Sequence, residues 1–150
     1  MTAEIKRPKH RHLLPGFALD LAMMDPDDGK PWDFSRKSKR DKARAMRREQ
    51  QPCMLIGSPC CTSCSTLQYM NEARVKDATA FRPAKGRAIR HINFMVELYH
   101  EQVEDGHYFL HEHPRWATSW KLPRMEKLMA VPSVGMSHGD QCRYGAEAQR

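Results

Sequence analysis

The amino-acid sequence predicts an α/β fold, with a mostly parallel sheet covered by helices. Three observations predict it. A short, unalternating apolar run bounded by Pro and Gly, Cys53-Met54-Leu55-Ile56, has the length and composition of a buried strand. Further along, Ile89, Ile92, Val96, Tyr99 and Val103 recur at intervals of three and four, which places one apolar stripe on a helix. Strand-like and helix-like patterns then alternate along the chain, and consecutive strands joined by helices imply crossover connections and a parallel sheet.

Taken in order, residues 1–15 carry Lys6, Arg7, Lys9, His10, Arg11 and His12 with two prolines and read as a flexible basic arm. The α/β domain is expected over 16–150. Phe17-Ala18-Leu19-Asp20-Leu21 is the first expected strand, followed by the turn formers of Asp25-Pro26-Asp27-Asp28-Gly29-Lys30-Pro31. Ser35 is the expected cap of a basic helix that runs to about Gln50, where Gln51-Pro52 stops it. The strand at Cys53–Ile56 ends in Gly57-Ser58-Pro59. A short helix is expected from Thr66 to about Lys76, and a surface connection containing Pro83 from Asp77 to Gly86. After the long helix, Asp105-Gly106 terminates and His107-Tyr108-Phe109-Leu110-His111 supplies the next strand. A helix near Leu122–Ala130 and a weak strand near Val134–His138 complete the pattern.

Charge and cysteine usage narrow the function classes. Among 150 residues, 25 Lys and Arg stand against 18 Asp and Glu, a formal charge of +7 that favours a polyanionic partner and leans to nucleic acid. Residues 36–48 hold eight basic side chains against Asp41 alone. Arg36, Arg40, Arg44, Arg47 and Arg48 are the candidates to grip phosphates, although a merely solvated helix face has the same composition. No apolar run approaches the ~20 residues of a membrane span, and the N-terminus lacks the apolar stretch of a signal peptide, so a soluble intracellular protein is expected. Five cysteines, four of them within 53–64, do not form an even framework for disulfides.

In a parallel sheet the ligand site lies beyond the carboxyl ends of the strands. That rule selects Asp20, the loop Gly57–Ser65 with Cys60, Cys61 and Cys64, and Glu112 with His113: an acid, a thiol and a second acid at three successive strand ends. Cys61-x-x-Cys64 with His111-x-His113 is the competing set, for zinc, but the knuckle spacing occurs only once and zinc is not the favoured reading. Trp116 and Trp120 follow the Glu112 loop as packing or lid residues.

These residues resemble a known family. Gly57-Ser58-Pro59-Cys60-Cys61-Thr62-Ser63-Cys64-Ser65 is similar to the G-G-P-P-C-x-x-F-S loop of DNA (cytosine-5) methyltransferases, and His107–Pro114 is similar to their strand ending in F-L-x-E-N-V. The resemblance implies a partial Rossmann-like domain. It also implies Cys61 as the thiol that adds to C6 of cytosine, because a Ser follows it by four positions, and Glu112 as the acid that meets N3. Asp20 falls where the family holds the ribose of S-adenosylmethionine and Asp33 where it contacts the adenine, with Ser58 and Pro59 also on the cofactor side. The F-x-G-x-G loop has no counterpart in residues 1–16, His113 replaces the Asn of E-N-V, and nothing after Gly145 supplies a target-recognition element. The resemblance is therefore to a truncated or degenerate domain. A second resemblance, from about Gly16 to Gly145, is to uncharacterised proteins of transposon-rich genomes that share W-D-F-S, S-P-x-C-T, V-E-L-Y, Y-F-L-H-E-H-P and D-Q-C-x-Y-G. The alternatives to a methyltransferase are a non-catalytic nucleic-acid-binding fragment of a mobile element and a small zinc-stabilised module.

Overall fold

The computed structural model describes residues 14–65 and 81–140. Its elements are helix α1 (Lys37–Gln50), strand β1 (Met54–Gly57), a 3₁₀ turn (Thr62–Cys64), helix α2 (Phe81–Glu104), strand β2 (Tyr108–His111), a second 3₁₀ turn (Thr118–Lys121) and helix α3 (Pro123–Met129). β1 and β2 form a two-stranded parallel sheet. The N–H of Tyr108, which opens β2, donates to the carbonyl of Cys53 just before β1 at 2.9 Å, so the strand starts lie together. The side chains just past the two strands also meet, as parallel strands require.

Three expectations are corrected. The segment around Phe17–Leu21 is not a strand: the Met23 N–H donates to the Asp20 carbonyl and the Ala22 N–H to the Asp20 carboxylate, so local turns take the groups a sheet would use. An isolated antiparallel bridge between Met24 and Pro31 replaces it, closed around Gly29 at φ +63°. Nor is Val134–His138 a strand; Val134 turns back on Val131, and with Gly135 to His138 exposed there is no buried face to pair against. Finally, α2 begins at Phe81, so Pro83 stands in its first turn, where a missing N–H costs nothing. The arm within 1–13, the helix expected at Thr66–Lys76 and residues 141–150 with Cys142 lie outside the described residues.

Two compact units are present, Met1–Gly57 with Glu97–Leu110 and Ser58–Val96 with His111–Arg150. In the first, the buried stripe of α1 is Lys39, Ala43 and Arg47, four residues apart and mostly charged. Burial of such cations demands partners, and each has them. Lys39 donates to Asp25 at 2.5 Å and Asp28 at 2.7 Å, Lys42 donates to Asp25 and Asp27, and both ammonium groups lie over the buried Trp32 ring at 5.0 and 5.3 Å. Arg47 bonds Asp105 at 2.6 Å and Gln102 at 2.9 Å. Fully buried Gln102 in turn donates to the carbonyls of Pro52 and Tyr108, both at 2.9 Å, and so joins the end of α2 to the entries of both strands. Tyr99 stacks on Phe109 at 4.6 Å. The alternate strand residues Met54, Ile56, Tyr108 and Leu110 are exposed, leaving one sheet face apolar and bare.

α1 is entered without a side-chain cap. Arg36, not Ser35, holds the cap position, while the Asp33 carboxylate accepts the Ser35 N–H at 2.9 Å. Gly106 ends the descent from α2 at φ +74°, a left-handed position that favours glycine. In the second unit Ile92, Phe94, Met95 and Val96 of α2 are buried, as are Cys64, Ala117, Met125 and Leu128.

Candidate functional site

β1 delivers its chain to buried Gly57, exposed Ser58 and buried Pro59, after which Cys60 is exposed, Cys61 half-buried and Cys64 buried. The 3₁₀ turn is closed by the Cys64 N–H on the Cys61 carbonyl at 2.9 Å. β2 delivers Glu112, His113 and Pro114. The Pro114 carbonyl then accepts the Ala117 N–H at 3.0 Å and the Trp120 indole N–H at 2.8 Å, which folds the segment back on itself.

One hydrogen bond links the two strand ends. Ser58 Oγ donates to Glu112 Oε2 at 2.5 Å, so the acid expected from the second strand end sits on the cysteine loop of the first. A second tie, Thr118 Oγ1 to the Cys64 carbonyl at 3.3 Å, holds the far side of that loop.

The three thiols differ in character. The Cys60 thiol lies 3.3 Å from Thr62 Oγ1; the Thr62 hydroxyl and then its backbone N–H favour the thiolate and hold this thiol below its ordinary range. Burial pushes the Cys64 thiol up, and the charge of Lys85 acts on it in the opposite sense. Sequence reasoning selected Cys61 and passed over Cys60; the signal was the hydroxyl of Thr62 two residues on. His111 and His113 stack at 5.4 Å, both edge-on to Trp120. Burial, and then its neighbour His113, press His111 down to about 4, and burial also lowers His113. Neither ring nitrogen of His113 has a hydrogen-bond partner among the described residues.

The other expected site residues lie elsewhere. Asp20 and Asp33 belong to the first unit, and each carboxylate accepts the N–H two residues on, from Ala22 and Ser35. Of the expected phosphate-gripping arginines, Arg47 is 3% exposed and bound internally. Arg44 pairs with Asp41, Glu97 and Glu101, and Arg48 with Glu101. Arg40 donates to the carbonyls of Phe34 and Ser35, while Arg36 is largely exposed, 3.6 Å from Asp33.

Charge is divided between the units. Over 14–57 and 97–110 nine Lys and Arg face eleven Asp and Glu, so acids outnumber the bases that include the basic helix. Over 58–65, 81–96 and 111–140 eight Lys and Arg face three acids, Glu112, Glu126 and Asp140. The described surplus of positive charge therefore belongs to the unit that holds the cysteine loop.

Cys61, Cys64, His111 and His113 are not brought into a metal-binding group of three or more among the described residues. No described helix is long and apolar enough to cross a membrane. No family model, curated protein or solved structure matches the chain.

Proposed function

We propose that the Cys61 loop and Glu112 form a thiol–carboxylate site that engages a cytosine ring of DNA, in a reduced Rossmann-like domain of the cytosine-5 methyltransferase type. The Ser58–Glu112 hydrogen bond carries this reading, because it fixes the carboxyl group against the loop that bears the thiol. In the step that these two residues support, the Cys61 thiolate forms a bond to C6. The electron pair of the C5–C6 double bond moves through the ring to N3, and the Glu112 carboxyl group passes a proton there. Release reverses each transfer. A base must leave the duplex to reach such a site, which requires cations to hold the backbone. The surplus charge of the same unit supports this, with Arg87 and Arg90 exposed on α2, three residues apart.

Of the residues assigned to S-adenosylmethionine, Ser58 and Pro59 stay in the cysteine loop, but Asp20 and Asp33 are not placed with them. No strand end presents Asp20, and the Asp20 and Asp33 carboxylates are engaged in their own turns. The proposed step is therefore thiol addition to the ring alone, without methyl transfer.

The test is a DNA oligonucleotide carrying 5-azacytosine, whose C6 accepts thiols readily. The wild-type chain and Cys60→Ser are expected to form a covalent adduct and Cys61→Ser none; an inert wild-type chain overturns the reading. The charge distribution also favours a second reading, DNA binding without chemistry. On that reading no adduct forms, yet Arg87→Gln with Arg90→Gln lowers DNA retention.

A further inference from the structure

We infer that Cys61 and Cys64 form a reversible dithiol–disulfide pair that exchanges with small disulfides of the glutathione class. This goes beyond the DNA reading and does not depend on it. The geometry of the turn carries it. Cys61 stands immediately before the 3₁₀ turn and Cys64 closes it through its N–H on the Cys61 carbonyl at 2.9 Å, so the two residues are the first and fourth of one hydrogen-bonded turn. The ends of such a turn lie within about 7 Å of one another, and a disulfide spans Cα atoms about 4.4–6.8 Å apart. The Cα separation of such a turn therefore permits the bridge.

Accessibility sets the order of events. Cys61 is half-buried and meets solvent, whereas Cys64 is 3% exposed. The Cys61 thiolate attacks one sulfur of the small disulfide, forming a mixed disulfide and expelling one small thiolate. The Cys64 thiol then loses its proton and attacks the Cys61 sulfur, which forms the protein S–S bond and expels the second small thiol. Two protein thiols are oxidised and one small disulfide is reduced to two thiols. The product places an apolar S–S bond where a buried thiol stood, and the Thr118 tie to the Cys64 backbone holds the turn through the exchange. Cys60, although exposed, is adjacent to Cys61 in the chain and is not at the far end of this turn.

The full chain, wild type and with Cys53, Cys60 and Cys142 replaced by Ser, is titrated with oxidised and reduced glutathione and read by intact mass and thiol alkylation. In the triple variant both remaining thiols are expected to disappear together with no glutathione retained, reversibly on adding reduced glutathione. Adding Cys64→Ser should convert the product to a stable mixed disulfide, about one glutathione per chain. Retained glutathione on Cys61 with Cys64 still alkylatable, a bridge between two chains, or two thiols that resist oxidation would each overturn the inference. The assay contains no nucleic acid, so its outcome is separate from that of the DNA trap.

Discussion

Gln102→Leu is expected to damage the fold far more than its neutral chemistry suggests. Gln102 is fully buried and makes three hydrogen bonds, accepting from Arg47 Nε and donating to the carbonyls of Pro52 and Tyr108, each at 2.9 Å. Leucine has similar bulk but offers none of them. Each stranded, part-buried carbonyl costs about 1 kcal/mol, and the loss at a charged donor about 1.5–3 kcal/mol. Arg47 keeps Asp105, which limits the last loss. The sum is about 3 kcal/mol. At roughly 2–4 °C per kcal/mol for a chain of this length, Tm should fall by about 6–12 °C. Urea titration followed by far-UV circular dichroism is the assay, with Glu104→Gln, an exposed change on the same helix, as the control expected to stay within about 0.5 kcal/mol. A loss below about 1 kcal/mol for Gln102→Leu would refute the claim that this side chain holds the two strand entries together.

Three further outcomes concern buried charge and titration, and a fourth the backbone. Lys39→Met should lower Tm more than Lys37→Met, because Lys39 is a buried partner of Asp25 whereas Lys37 pairs with Asp41 at the surface. Hydrogen bonds from Lys39 and Lys42 hold the Asp25 carboxyl well below its usual range, so its stabilisation is present above the ordinary carboxylate pKa and lost as pH falls below it; Asp25→Asn should flatten acid unfolding there. His111 is pushed down from 6.5 to about 4, so the unfolded chain takes its proton first and stability should fall as pH drops through that interval, a slope that His111→Phe removes in a pH series of Tm. Gly106→Ala places a Cβ at φ +74° and should cost about 1–2 kcal/mol in urea titration, although nothing lies within 4 Å of the new atom.

Local pattern was legible where burial is apolar and continuous. Of the stripe, Ile92, Val96 and Tyr99 are buried and Ile89 and Val103 half-buried, and the bounds of β1, β2 and α3 fall within a residue or so of expectation, although β1 alternates, with Met54 and Ile56 exposed, where a buried strand is expected. The same stripe understates α2, since Phe94, Met95, Leu98 and Gln102 are buried too. The first strand was misread because Phe17–Leu21 looks apolar in isolation, while Asp20 supplies a side-chain acceptor that favours a turn. The basic helix shows what composition leaves out. Its cations read as a polyanion grip, but the acids that occupy them, Asp25, Glu97, Glu101 and Asp105, are distant in sequence and become neighbours only on folding. The rule of strand ends puts Glu112 and the cysteine loop after neighbouring strands from residue order alone, and the structure has them there. It did not find the Ser58 hydroxyl that joins them or the distinct surroundings of Cys60, both of which depend on side-chain direction.

The measurement that bears most directly on the thiol–carboxylate site is peptide mapping of the 5-azacytosine adduct, with the rate compared between wild type and Glu112→Gln. If Glu112 supplies the proton to N3 as Cys61 adds, the adduct maps to Cys61 and Glu112→Gln slows its formation by about 10²-fold or more. An adduct on Cys60, or a rate indifferent to Glu112→Gln, would contradict the account.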